Sequence, residues 1–222
     1  MLRANAIRQG TPAMTDDDRP LARRNSRATL DRLLGDIIEN PDRTAAISAD
    51  IQAVFGETRA ILILDMSGFT RSTQQRGIVA FLLRIHKMRR LCSPAVAEAG
   101  GLVIKVEADN LYALFDDAPA ALTAARDMLA RLDAANSLSA EDVQLYAAIG
   151  IGYGSLLNID DADVYGDEMN LACKLGEDIA EGGQILLTPA ARARPGMESV
   201  IAREEAVNIS GLTLPYFIVE RG

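Results

Sequence analysis

An α+β fold is predicted, and three observations predict it. Short apolar stretches of strand type alternate with long amphipathic stretches from residue 58 onward, two strand-like stretches follow each other directly as a hairpin, and glycine or proline pairs punctuate the junctions. With 222 residues, 49% of them hydrophobic, the chain is long enough to bury one substantial core and carry an appendage.

Residues 1–25 mix Arg, Asp, Gly and Pro without periodicity and read as a tail. Leu30, Leu33, Leu34, Ile37 and Ile38 then share one helical face, which Asn40-Pro41 ends. A second short helix carries Ile47, Ile51, Val54 and Phe55, with Gly56 as its stop. These two helices form an N-terminal segment over 26–57 that packs on the domain or a partner; relaying a signal from a regulatory partner is the weaker reading. The domain proper spans 58–222. Strand 59–65 leads into helix 70–99, which breaks at Gly100-Gly101. "GLVIKVE" and "NLYALF" are strands joined at Ala108-Asp109, and "APAALTAARDMLARLDAA" is an amphipathic helix. "VQLYAAIGIGYGSLLNI" reads as a strand pair with glycine in its turn. Helix 167–180, strand "QILLT" and a last hairpin over 198–220 complete the chain. The core order is β-α-β-β-α-β, the ferredoxin-like arrangement, with C-terminal additions.

The net charge of −8 lacks the basic footprint of a general nucleic-acid binder, but leaves room for a nucleotide whose phosphates a metal neutralises. Cys92 and Cys173 lack metal-ligand spacing and suit a reducing compartment. No apolar run is long enough to span a membrane, and the N-terminus has no apolar leader core, so a cytoplasmic location is expected.

"ILILDMSGFT" runs apolar until Asp65, then turns through small residues into a helix. Asp109 lies in the hairpin turn expected beside it, and two carboxylates at neighbouring strand ends suit a hard divalent cation. The turn Met66-Ser67-Gly68-Phe69-Thr70 offers backbone N–H groups to an anion. Taken singly, Asp65 reads as a helix cap and Asp109-Asn110 as a turn. Taken with "GGLVIKVEADNLYALF" and "DVYGDEMNLACKLGEDIAEGGQILLT", they read otherwise. In this order and spacing the three stretches resemble the catalytic domain of class III nucleotidyl cyclases, the adenylyl and guanylyl cyclases, over about residues 58–220. The Gly-Gly-Asp/Glu-Glu-Phe hairpin of the related diguanylate cyclases is absent.

The resemblance implies cyclisation of a nucleoside triphosphate on two Mg²⁺ or Mn²⁺ ions held by Asp65, Asp109 and the Met66 carbonyl. Ser67, Gly68, Phe69 and Thr70 would contact the β- and γ-phosphates. Lys105 and Asp163 would face the purine. A lysine donor and an aspartate acceptor match N1 and N6 of adenine, whereas guanylyl cyclases carry Glu at the Lys105 position. Asn170 would orient the ribose, and Lys174 stands where the family normally has the arginine that stabilises charge on the α-phosphate. Ser210 replaces a common lysine before Gly211, and Ala108 a common glycine. The family builds each site from two subunits, so the resemblance implies a homodimeric adenylyl cyclase using ATP. The alternative is a cyclase-like nucleotide-binding regulatory module. The lone His86 and the "KMRR" run beside it read as an ordinary solvated helix face.

Overall fold

The computed structural model describes residues 25–67, 69–140, 143–209 and 212–220. The expected tail up to residue 24, Gly68 of the turn expected to contact phosphates and Ser210 lie outside the described residues, as do the side chains of Ser67, Phe69 and Thr70. The chain divides into two compact units between Phe55 and Gly56. The first holds α1 (Arg27–Glu39), a 3₁₀ turn (Pro41–Arg43) and α2 (Thr44–Phe55). Ser26 caps α1, its Oγ accepting from the Thr29 N–H at 3.2 Å, and Asn40-Pro41 stops the helix. Leu30 and Leu33 are buried on α1, as are Ile47, Ile51 and Phe55 on α2. Among the described residues no helix is long and apolar enough to cross a membrane.

The second unit runs β1 (Gly56–Ser67), α3 (Phe69–Glu98), β2 (Leu102–Glu107), β3 (Asn110–Phe115), α4 (Ala118–Ser137), β4 (Tyr146–Ile159), β5 (Asp163–Tyr165) and α5 (Asp167–Cys173). A π-helical segment (Lys174–Ile179) extends α5, then β6 (Ile185–Leu187), α6 (Pro189–Arg192), β7 (Ala202–Ile209) and β8 (Leu212–Val219) follow. The sheet order is β2-β3-β1-β4-β6-β8-β7, with β5 paired to β4. The first four strands have the ferredoxin-like order, and β6, β8 and β7 are the C-terminal additions. Every described pairing is antiparallel except β4 with β6.

Two expectations are corrected. The helix expected over 70–99 is not continuous: it breaks at Gly77, whose φ of 79° is left-handed backbone that glycine adopts without strain. The stretch expected to be a strand pair is one 14-residue strand, β4. Its glycines make no turn. Gly150, Gly152 and Gly154 recur at every second position, so all three lie on one face of the sheet. They are cross-strand partners of Ile63, Ile61 and Arg59 on β1. On that face a Cβ at Gly150 would lie 2.0 Å from the Ala172 carbonyl oxygen and 2.7 Å from the Gly176 nitrogen. The glycines are therefore a flat bed on which α5 and its extension lie against the strands.

This packing predicts a large stability effect. Gly150→Ala forces helix backbone away from the sheet and should cost about 3 kcal/mol. Gly35→Ala is the control: Gly35 lies inside α1 with nothing within 4 Å of a new Cβ, and should gain about 0.5–1 kcal/mol. Chemical denaturation of both variants checks the pair. Equal, small changes would show that α5 does not need the glycine bed.

The two faces of β1 divide the core. Leu62, Leu64 and Met66 join Met88, Cys92 and Val96 of α3 and Leu122, Ala125 and Met128 of α4 in one buried cluster. Ile61 and Ile63 join Tyr112, Leu114, Leu156, Val164 and Ala172 in the other, the α5 side. Asp65 continues the odd-numbered series, so it belongs to the α5 face.

Candidate active site

Strand register brings the site together. Asp65 on β1 is the cross-strand partner of Asn110 on β3, Ile63 that of Tyr112, and Tyr112 in turn that of Lys105 on β2. Directly opposed residues share a face. Asp65, Asn110, Tyr112 and Lys105 therefore all lie on the α5 side. An irregularity in the β2–β3 pairing between Val103 and Lys105 resets which β2 residues meet β3. Asp109 sits beside Asn110 in the turn, where Ala108 adopts a φ of 50°. The family's common glycine would take that conformation without strain.

Asp65 is half-buried, and its carboxyl is pushed up to about 7, by burial first and then by the charges of Asp109, Glu177 and Asp178. Glu177 is itself raised, chiefly by burial. It accepts from Asn110 Nδ2 at 2.9 Å and from the Tyr112 hydroxyl at 3.4 Å. The other amide atom, Asn110 Oδ1, is buried with no hydrogen-bond partner. Crowded carboxylates beside an orphaned oxygen acceptor are a donor set that a hard cation fits. Among the described residues no three His, Cys, Asp or Glu side chains converge as a metal-binding group.

The second cluster is the expected purine pair. Lys105 Nζ donates to Asp163 Oδ1 at 2.9 Å and lies 3.3 Å from Glu107 Oε2. Its ammonium sits 4.8 Å from the centre of the Tyr112 ring. Burial lowers the Lys105 pKa, but the hydrogen bonds to Asp163 and Glu107 outweigh it and hold the value above the usual one. Burial raises Asp163, but donation from the Tyr165 hydroxyl and Lys105 outweighs it and leaves that carboxyl below its usual range. Both groups thus stay charged at neutral pH. Short β5, which begins at Asp163, is what fixes the aspartate beside β2 and β4.

The third group lies on α5. Glu168 Oε2 accepts from the Tyr153 N–H at 3.1 Å and the Thr188 hydroxyl at 2.8 Å, tying the helix to β4 and to the start of α6. Asn170 is exposed two residues further on, and its carbonyl accepts from the Lys174 N–H. The Lys174 ammonium is paired with Asp178. The π-helical winding, with the Ala180 N–H donating to the Leu175 carbonyl at 2.8 Å, carries Glu177 to Asn110 and Asp178 to Lys174. A cavity of about 240 Å³ opens beside Lys174, walled by Leu171, Leu175, Pro189, Leu214 and Pro215.

Sequence reasoning missed Glu177, Asp178, Tyr112 and Glu107. Asp178 had a signal, since Lys174 and Asp178 stand four apart on a helix. Glu177 had none, because its partners lie on β3.

No protein-family model matches the sequence, and no curated protein sequence matches it. Solved structures do. The chain is similar to an adenylate/guanylate cyclase/hydrolase from Silicibacter pomeroyi, with 29% identity and a TM-score of 0.63 over 74% of this chain and 95% of that one. It is similar to the guanylyl cyclase Cya2, with 21% identity and a TM-score of 0.65 over 74% and 92% of the two chains. It is also similar to the adenylyl cyclase CyaB from P. aeruginosa, with 18% identity and a TM-score of 0.60 over 75% and 96%. The extended ferredoxin-like sheet, the paired strand-end aspartates and these likenesses agree, and the chain has the fold of class III nucleotidyl cyclase catalytic domains and is similar to them.

Proposed function

We propose that the protein is an adenylyl cyclase, converting ATP to 3′,5′-cyclic AMP and pyrophosphate at sites shared between two copies of the chain. The observation that carries the choice of base is the 2.9 Å pair of Lys105 and Asp163. Lys105 donates to adenine N1, and Asp163 accepts from the N6 amino group. Guanine, with a donor at N1 and an acceptor at O6, leaves both groups mismatched. Asn170 orients the ribose so that its 3′-oxygen lies in line with the α-phosphorus. Lys174 places a positive charge near the α-phosphate, where negative charge builds as the bond to pyrophosphate breaks. The turn from Met66 to Thr70, with Ser67, Gly68 and Phe69, cradles the β- and γ-phosphates. Asp65, Asp109 and the Met66 carbonyl hold Mg²⁺ or Mn²⁺. Two such ions, when bound, acidify the ribose hydroxyl and screen the triphosphate.

The test is direct. The pure protein with ATP and Mn²⁺ should form cyclic AMP, and with GTP little or no cyclic GMP. Lys105→Glu should lower kcat/KM for ATP by about 10²-fold, since it puts an acceptor where N1 needs a donor, and should leave metal binding intact. Equal use of ATP and GTP by the unaltered protein would defeat the assignment of Lys105 and Asp163.

A second reading has its own support. Lys174 stands where the family carries arginine and is paired with Asp178, and Ser210 stands where a lysine is common. These features favour a nucleotide-binding regulatory module. ATP binding without cyclic AMP formation would identify it.

A further inference from the structure

Lys105 lies between competing partners. Asp163 is at 2.9 Å with its side chain 20% exposed, whereas Glu107 is at 3.3 Å with its side chain 70% exposed. A flexible lysine stem can follow either carboxylate, and toward Glu107 the ammonium swings out to solvent. What opposes that swing is Tyr112. Its ring is nearly buried, 7% exposed, and stands directly across the β2–β3 ladder from Lys105 with its centre 4.8 Å from the ammonium. The ring is fixed at both ends: its strand lies between β1 and β2, and its hydroxyl reaches Glu177 Oε1 at 3.4 Å. An aromatic face attracts a cation without consuming a directed donor. An ammonium has three donors, and Asp163 and Glu107 account for two, so one remains for a purine nitrogen.

We propose that Tyr112 is a specificity-determining positioning residue, whose ring fixes the Lys105 ammonium at the purine edge so that discrimination between adenine and guanine nucleotides depends on it. The inference rests on the adenylyl cyclase reading and deepens it. Tyr112 touches no substrate atom in this scheme; it acts through Lys105. Its effect therefore falls on the ratio between two nucleotides rather than on affinity for triphosphate in general.

The experiment measures displacement of a ribose-labelled fluorescent ATP by ATP and by GTP, in Mn²⁺, from the full chain and its Tyr112 variants. Where turnover is measurable, the ratio of kcat/KM values is taken as well. A ratio of two affinities on one preparation does not move with the folded fraction. Tyr112→Leu should reduce the ATP-over-GTP preference by about fivefold to tenfold, and Tyr112→Phe, which keeps the ring, should hold it within about twofold. Should Tyr112→Leu fail to fold, Tyr112→Met removes the aromatic face while keeping side-chain bulk, and carries the same expectation. An unchanged preference in the Leu or Met variant overturns the inference alone, as does a Phe variant impaired as much as Leu. Binding of neither nucleotide by the unaltered protein overturns the cyclase reading and this inference with it.

Discussion

Asp65→Asn should reduce cyclisation below about one thousandth of the unaltered rate and, in metal-free buffer at pH 8, melt at a higher temperature than the unaltered protein. The first effect follows from the proposed function, in which Asp65 is one of two carboxylates that would hold the cation charge against the triphosphate. The second follows from linkage. Burial, Asp109, Glu177 and Asp178 raise Asp65 from 3.8 in the unfolded chain to about 7 in the folded one. Between those values the folded protein holds a proton that the unfolded chain has released. Stability therefore falls as pH rises through that window, and above about 7 the full penalty is present. Asn escapes it. Because Asp65 is only half-buried, solvent screening reduces the penalty to about 2 kcal/mol, a shift of several degrees. The melting gap between variant and parent should be absent near pH 4, open up to pH 7 and then stay level. Adding Mn²⁺ and ATP should stabilise the parent and not the variant. A variant that melts lower than its parent at pH 8, or that keeps near-normal activity, would remove Asp65 from the metal site.

The same residue shows why part of this site was legible in the sequence. A carboxylate that ends an apolar strand is a local anomaly, and a second one in the neighbouring hairpin turn needs only the strand order to be interpreted. Lys105 and Asp163 are harder, 58 residues apart, and only the family resemblance singled them out. The misreadings also have physical causes. In β4, glycine at every second position looks like turn chemistry, but here it gives α5 room to approach. Strand β5 and helix α6, of three and four residues, are too short for any periodicity to register. Glu177 reaches Asn110 across 67 positions because a π-helical segment winds it there, and nothing in the run Lys174–Ile179 announces that winding.

Lys174→Arg should raise kcat about tenfold at saturating ATP and Mn²⁺, and Lys174→Ala should lower it below the unaltered protein. The lysine ammonium is a point charge on a flexible stem, and it is already paired with the Asp178 carboxylate one turn away. Its charge is thus partly neutralised at the place the proposed function gives to the α-phosphate, and it lacks the planar fork that can bridge two phosphate oxygens. Losing a well-placed donor at such a position costs about 10²–10³ in rate, and lysine recovers only part of that. Arginine supplies the fork, so that one N–H edge can stay with Asp178 while another meets the phosphate. The side chain is 38% exposed and the ion pair with Asp178 is a surface one, so neither substitution should shift the melting temperature by more than about 2 °C. The measurement is single-site kinetics with oligomeric state checked by sedimentation. Arginine that leaves kcat unchanged while alanine also leaves it unchanged would remove this position from the chemistry. Inactivity of both the parent and Lys174→Arg, with ATP still bound, would instead make the chain a nucleotide-responsive module. In that protein the Lys174–Asp178 pair would be a surface ion pair and no more.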